Sequence, residues 1–306
     1  MNAAPTQVNI GSAAPKTLDR EVGKSRSGWR AMLRAYAQDR AAVAAAIILI
    51  LIVLMSIFAP VIAPYDPIES DSSLRLKPMG TEGHILGLDF QGRDVLSRVI
   101  WGGRVSLPNA VIPVVIASII GLFLGLTAGY LGGFVDTVIM RLMDVLFALP
   151  SVILAIAIAA AMGPGSRSVI LATTLVIIAP LTRMTYTATR DQKFAEYVTA
   201  ARSIGAPFTS IITRHLLPNV LAPVLIYATT IVGLMVVFTA SLSFLGLGVS
   251  PPTAEWGLMV DEGRPVLSIA AHVASIPGAL IAITALCCNL VGDGLRYAFD
   301  PRQHRR

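Results

Sequence analysis

The sequence predicts an all-α membrane protein with six transmembrane helices. Of its 306 residues, 55% are hydrophobic and 14% are charged, and the mean hydropathy is +0.71. Average soluble domains carry roughly a quarter charged residues. The apolar residues fall in long uncharged runs, and roughly 20 such residues cross a bilayer core about 30 Å thick as a helix. A β-barrel would show apolar and polar residues in alternation, which this sequence lacks.

Six apolar runs, uncharged except for Arg183 near one end of the fourth, are long enough to cross a membrane. Each is expected to be helical, because a helix pairs its own backbone N–H and C=O groups in a medium that offers no other partner. Cys287 and Cys288 are adjacent in the last run and are expected to be small packing residues. The runs are 41–63, part of 105–135, 145–166, 168–186, part of 216–254, and 265–292.

The positive residues predict that both termini are cytoplasmic. With that orientation, the inner segments contain 17 of the 24 Lys and Arg residues, and cytoplasmic flanks are the ones enriched in these residues. The basic composition therefore indicates topology, and we expect no nucleic-acid partner.

The chain is expected to have three parts. A cytoplasmic segment, 1–40, comes first, the transmembrane domain is 41–292, and a cytoplasmic tail is 293–306. Residues 1–28 are rich in Ala, Ser, Gly and charge, which predicts disorder. From Trp29 to Tyr36, apolar side chains recur on one helical face, so a helix lying in the inner membrane interface is predicted.

An outer loop, 64–104, contains a dense mixed-charge group punctuated by glycines. Two interpretations stay open for it. The charges either hold an ordered loop together by ion pairs, or serve in gating or in docking a binding protein outside the membrane. A second outer segment, 251–264, is also an exposed candidate for docking. The residues of this mixed-charge group are Asp89, Arg93, Asp94, Arg98 and Arg104.

A polar segment, 190–219, interrupts the apolar runs on the cytoplasmic side. Helical spacing predicts one short helix that ends at Gly205, a residue that commonly terminates helices. Pro207 can open a second short helix, which is predicted to end before Pro218. The result would be a rigid projection beyond the bilayer, although an ordinary inner loop is the alternative interpretation.

This cytoplasmic segment resembles the EAA loop of bacterial ABC importer permeases. The pattern is Glu196, three residues, Ala200 and Ala201, three residues, then Gly205, with a Leu-Pro tail at 217–218. Three other stretches resemble the branch of dipeptide, oligopeptide and nickel permeases, in particular the permease C proteins. They are LGLDFQGRDVLSR at 86–98, SFLGLGVSPPTAEWG at 243–257 and NLVGDGLRYAFDPR at 289–302.

The resemblance implies a type I ABC importer permease fold, in which two homologous permease subunits enclose a path through the bacterial inner membrane. It implies that this chain is not an enzyme and holds no cofactor or metal, since ATP and Mg²⁺ would be bound by two cytoplasmic ATPase subunits. An extracytoplasmic binding protein would deliver the cargo. Glu196 and Arg202 would bond the ATPase or cap their own helices, and small residues would permit close approach. The expected coupling residues are Glu196, Ala200, Ala201, Arg202, Gly205 and Pro207.

The expected cargo is a dipeptide or oligopeptide, with nickel complexes, glutathione or opine-like compounds as alternatives. Two other classes of protein were weighed. An ion-driven carrier would carry carboxylates or broken helices within its spans, and a membrane-embedded enzyme would need Ser/His or paired acidic groups there. The spans show almost no charge in their middles, which disfavours both.

Overall fold

The computed structural model describes residues 34–299, which form a bundle of α-helices. Within this range the only extended pairings are two isolated bridges, Thr81 with His84 and Leu88 with Asp94. The helices are α1 (Arg40–Ile57), α2 (Ala59–Ile62), α3 (Val95–Leu131), α4 (Gly133–Ala148), α5 (Ser151–Met162), α6 (Ser166–Lys193), α7 (Glu196–Ser203), α8 (Phe208–Ser210), α9 (Leu217–Phe244), α10 (Trp256–Gly263) and α11 (His272–Phe299).

Six membrane spans are present among these residues when one bent pair counts as a single span. Helices α1, α3, α6 and α11, and the helical stretch Phe208–Phe244, are each long and apolar enough to cross. The sixth span is α4 with α5, which meet at 88°. The third apolar run is therefore not a straight helix. Pro150 disfavours helical geometry at the residue before it, and Leu149 is extended, with ψ of 134°.

The centre of the bundle is the contact between α3 and α6, which depends on three glycines. A Cβ at Gly125 would lie 2.5 Å from the Cβ of Thr185, and Gly121 and Gly129 face the same helix. Small residues let membrane helices approach closely, so that backbone atoms and short side chains pack in direct contact. This packing holds α6, which leads into the cytoplasmic segment, firmly against α3.

Two predicted boundaries fall within helices. The outer loop 64–104 ends at Asp94, whose carboxylate accepts a hydrogen bond from the Ser97 backbone N–H at 2.7 Å and so caps α3. Arg98 and Arg104 are consequently helical. At the other end, α11 continues to Phe299, so the division between membrane domain and tail at 292/293 falls inside a helix.

The second outer segment, 251–264, is not the exposed loop that was expected. It contains α10, whose first residue, Trp256, is fully buried and donates its indole N–H to the Val99 carbonyl at 2.9 Å. Glu255 is buried too, and its carboxylate accepts a bond from the Leu258 N–H that caps α10. The segment is thus anchored to α3 by a large side chain.

The predicted disorder of 1–28, and most of the predicted interfacial helix from Trp29, lie outside the described residues. Residues 34–38 are helical. Asp39 then caps α1 by accepting bonds from the N–H groups of Ala41 and Ala42.

Candidate coupling site and outer ion-pair cluster

Helix α7 ends in a turn that only a few residue types can form. Gly205 has φ of +76°, in the left-handed region that favours glycine. The Gly205 N–H donates to the Arg202 carbonyl at 3.0 Å, and the Ala206 N–H donates to the Ala201 carbonyl at 3.1 Å. This pair of bonds is the Schellman motif, which satisfies carbonyls at the end of a helix. The predicted helix stop at Gly205 agrees with this geometry.

The two alanines of α7 face opposite ways. Ala201 is 6% exposed and packs with Val198, Ile211 and Leu216 against the inner end of the bundle, whereas Ala200 is exposed. Of these two alanines, Ala200 is thus the one that is open to a partner. The small size of Ala201 instead lets α7 lie close to the chain's own helices.

The polar residues of α7 are exposed to solvent. Glu196 makes no ion pair within residues 34–299, and α7 has no side-chain cap, because its N-cap residue is Ala195. Arg202 lies over the ring of Tyr130, with its guanidinium carbon 5.7 Å from the ring centroid. Exposed Pro207 is the N-cap residue of α8. The carboxylate of Glu196 is thus free to meet a partner.

The second short helix does not end before Pro218, as was predicted. After α8, residues Ile211–Leu216 form a wide π-helical turn that continues into α9. Proline removes one backbone donor and crowds the carbonyl four residues earlier. The helix nevertheless continues through Pro218, and the Asn219 side chain donates a hydrogen bond to the His215 carbonyl at 2.7 Å. The coupling segment is therefore joined rigidly to a membrane span.

Large apolar side chains are exposed on this polar segment. Ile204, beside the turn at Gly205, is 84% exposed, and Phe194, just before α7, is 72% exposed. Tyr197 is partly exposed; its hydroxyl donates to Gln192, and partial burial raises its pKa above the ordinary value. Large apolar groups that are exposed on a projection indicate a surface that a partner covers. Phe194 is not among the coupling residues predicted from the sequence, because those were polar residues, alanines, glycine and proline.

The outer ion-pair cluster joins α3 to α10. Glu262 Oε2 accepts a hydrogen bond from Nη2 of Arg93 and from Nη2 of Arg98, both at 2.8 Å. Asp89 accepts a bond from Nε of Arg93 at 2.7 Å and lies 3.5 Å from Nε of Arg98. All but Glu262 are at most 4% exposed. Glu262 is a member that the sequence analysis missed, since it lies far away in the chain.

The two remaining residues of the predicted outer group differ in exposure. Asp94 is 3% exposed, and besides capping α3 it pairs with Nδ1 of His84 at 2.9 Å. The His84 ring in turn stacks on Tyr65, with centroids 4.6 Å apart. Arg104 is exposed and lies over the Trp101 ring. Only Arg104 of the five predicted residues is placed to contact a partner directly.

Comparison with known proteins gives the class to which this fold and these segments belong. Residues 121–305 match the family described as the binding-protein-dependent transport system inner membrane component. Residues 27–78 match the N-terminal transmembrane domain of oligopeptide transport permease C. The chain belongs to this family of permeases and is a multi-pass inner-membrane transport subunit. The prediction of an ABC importer permease is confirmed.

Individual relatives cover most of the chain. It is 40% identical over 277 residues to the glutathione transport system permease protein GsiD of Pectobacterium atrosepticum, covering 90% of this chain and 92% of that protein. It is also 40% identical to the di/tripeptide transport system permease protein DppC of Pseudomonas aeruginosa, with coverage of 88% and 90%. A crystal structure of an amino acid ABC transporter has the same fold, with a TM-score of 0.52 and 16% identity over 65% of this chain and 92% of that one.

Proposed function

We propose that this permease imports short peptides, with dipeptides, tripeptides and glutathione as its candidate cargo. Its two groups of relatives carry those cargoes in their names, at about 40% identity over most of the chain. Nickel complexes and opine-like compounds remain less supported alternatives. We propose that both termini lie in the cytoplasm, in keeping with the Lys and Arg distribution.

The observation that carries the coupling role is the exposed apolar tip at Ile204, next to the left-handed turn at Gly205. The side chain of Ile204 is 84% exposed. Burial of this apolar surface in a groove on a partner would be favourable, because it removes the surface from water. We therefore propose that α7 docks into a cytoplasmic ATPase subunit, with Glu196 and Arg202 bonding to groups at the rim. ATP and Mg²⁺ would be bound there, and this chain would hydrolyse nothing.

The full assembly that we propose contains a second homologous permease, two ATPase subunits and an extracytoplasmic binding protein. On the outer side, the ion-pair cluster would have an indirect role, because it fixes α10 against α3 and so shapes the surface where the binding protein docks. The cluster consists of Asp89, Arg93, Arg98 and Glu262. Arg104 is exposed and would contact that protein directly.

The test compares two glycines with the same backbone requirement. Gly205 and Gly246 both have positive φ, and a Cβ on either would meet no atom within 4 Å in the described chain. Gly205→Val and Gly246→Val therefore introduce similar strain, about 1–2 kcal/mol, on opposite sides of the membrane. Each variant would be assembled with its partner subunits in proteoliposomes, and ATP hydrolysis and uptake of dialanine and glutathione would be measured at equal permease content.

We expect Gly205→Val to keep ATP hydrolysis and lose uptake, because a branched side chain would sit in the docking surface. Gly246→Val should retain both activities. Equal loss of uptake in the two variants would assign the effect to backbone strain, and normal uptake by Gly205→Val would contradict the coupling role.

A further inference from the structure

A cavity of about 690 Å³ lies at the bend between α4 and α5. Residues 146–154 of the bend form one wall, and α6 and α9 form the others. The lining is apolar except for the hydroxyl groups of Ser151 and Tyr227. Small-molecule sites typically measure roughly 300–1,000 Å³ and combine apolar walls with a few polar groups. The cavity is therefore large enough for a short peptide.

A charged cluster stands at the rim of this cavity. Nη2 of Arg183 donates to Oδ1 of Asp144, and Nη1 of Arg141 lies 3.8 Å from Oδ2 of the same carboxylate. The Arg183 guanidinium carbon is 4.8 Å from the centroid of the Phe147 ring, which lines the cavity. Pro180, another lining residue, precedes Arg183 by three positions and so shares its face of α6.

The cluster lies at the ends of two apolar runs. Asp144 directly precedes the run 145–166, and Arg183 is three residues from the end of the run 168–186. Both residues belong to helices that are candidate membrane spans. The middles of these two runs hold no charge, as expected. Charged groups in membrane-spanning helices are costly, and they commonly mark substrate pathways.

The charges of the cluster do not balance. Two guanidinium groups face one carboxylate, and Nε of Arg183 is buried with no hydrogen-bond partner among residues 34–299. The side chains of Arg183 and Asp144 are 40% and 44% exposed, so the described chain does not enclose the pair. A partly exposed cluster with net positive charge is complementary to a carboxylate, which guanidinium groups bind through two parallel hydrogen bonds.

We propose that Arg183 binds the free carboxylate of the cargo while the cargo occupies this cavity. Asp144 holds the guanidinium at the rim when the cavity is empty, and the apolar walls accept the cargo's side chains. The favoured solutes are small molecules with an unblocked carboxylate, such as dipeptides. This assignment rests on the proposed function, because it makes the cavity part of the import path.

The experiment uses the complete complex in proteoliposomes, with the binding protein loaded to saturation by each solute. Initial uptake of dialanine is compared with uptake of dialanine amide, which lacks the carboxylate. The variants are Arg183→Gln and Arg183→Lys, and the matched control is Arg167→Gln, an exposed arginine in the first turn of the same helix. ATP hydrolysis stimulated by the loaded binding protein reports assembly of each complex.

Wild type and Arg167→Gln should take up dialanine roughly tenfold faster than its amide, the scale of one charged hydrogen bond. Arg183→Gln should take up the two solutes at equal rates while its stimulated ATP hydrolysis persists. Arg183→Lys keeps the charge but loses the fork geometry, so its preference should be roughly threefold smaller than that of wild type. If Arg183→Gln does not assemble, the proposal is tested by the preference of Arg183→Lys for dialanine over its amide, compared with that of wild type.

A full preference for dialanine in the assembled Arg183 variants, or no preference in wild type, would overturn the assignment while leaving the proposed cargo class intact. If wild type imports neither dialanine nor glutathione, the cargo class is wrong and the carboxylate assignment fails with it. The two failures are thus distinguishable.

Discussion

Replacement of Glu262 by glutamine should destabilise the permease strongly, because this carboxylate is one of the two, with Asp89, that neutralise two buried arginines. Its Oε2 accepts bonds at 2.8 Å from both Arg93 and Arg98, whose side chains are 2% and 1% exposed. Loss of one partner from a buried ion pair costs about 3–5 kcal/mol. The glutamine oxygen can still accept a hydrogen bond, which places the expected cost near the lower value. A chain of this size loses roughly 2–4 °C per kcal/mol, so the melting temperature should fall by about 6–12 °C.

The assay is thermal unfolding of the purified permease in nanodiscs. Asp261→Asn is the matched control, because Asp261 is the preceding residue and pairs with Arg264 at 3.7 Å in a largely exposed position. Exposed pairs contribute under about 1 kcal/mol, so this variant should melt within about 3 °C of wild type. Equal shifts for Glu262→Gln and Asp261→Asn would refute the reasoning that burial makes this cluster costly to break.

Two further substitutions test how α3 is packed. Gly125→Ala should reduce stability by about 1–3 kcal/mol, because its Cβ would press on Thr185. Gly278→Ala is the control, since the nearest atom to its Cβ would be 3.9 Å away. The melting temperatures of the two purified variants are compared, and equal values would contradict the close contact between α3 and α6. Trp256→Phe removes the hydrogen bond to the Val99 carbonyl and part of a fully buried ring. Stability should therefore fall by about 1–3 kcal/mol. The melting temperature is measured in the same way, and an unchanged value would show that this indole does not anchor α10.

The sequence was sufficient for the number of spans and for the family. Uncharged runs have few alternatives to helices in lipid, and the spacing of Glu196, Ala200, Ala201 and Gly205 is specific. The turn at Gly205 was also predictable, because a left-handed residue is required there. These features depend on neighbouring residues, which is why they could be read from local patterns.

Features that depend on distant residues could not be predicted. Arg93 and Glu262 are 169 positions apart, and nothing local to either indicates the other. The direction in which Ala201 faces depends on how α7 folds back onto the bundle, and the small size of alanine suits either environment. At Pro218, proline chemistry predicted a helix end, but the chain passes from the wide turn at Ile211–Leu216 into a further helix with Pro218 in its first turn.

The helical stretch from Phe208 to Phe244 contains 37 residues, about 55 Å at 1.5 Å per residue. One end belongs to the polar segment for which we propose the coupling role, and the other reaches the opposite side of the membrane. About two-thirds of the way along, Gly233 packs against Ala285 and Asn289 of α11. In the coupling role that we propose, a displacement of the polar segment would therefore be carried by one continuous helix to α11 and to the far side of the membrane.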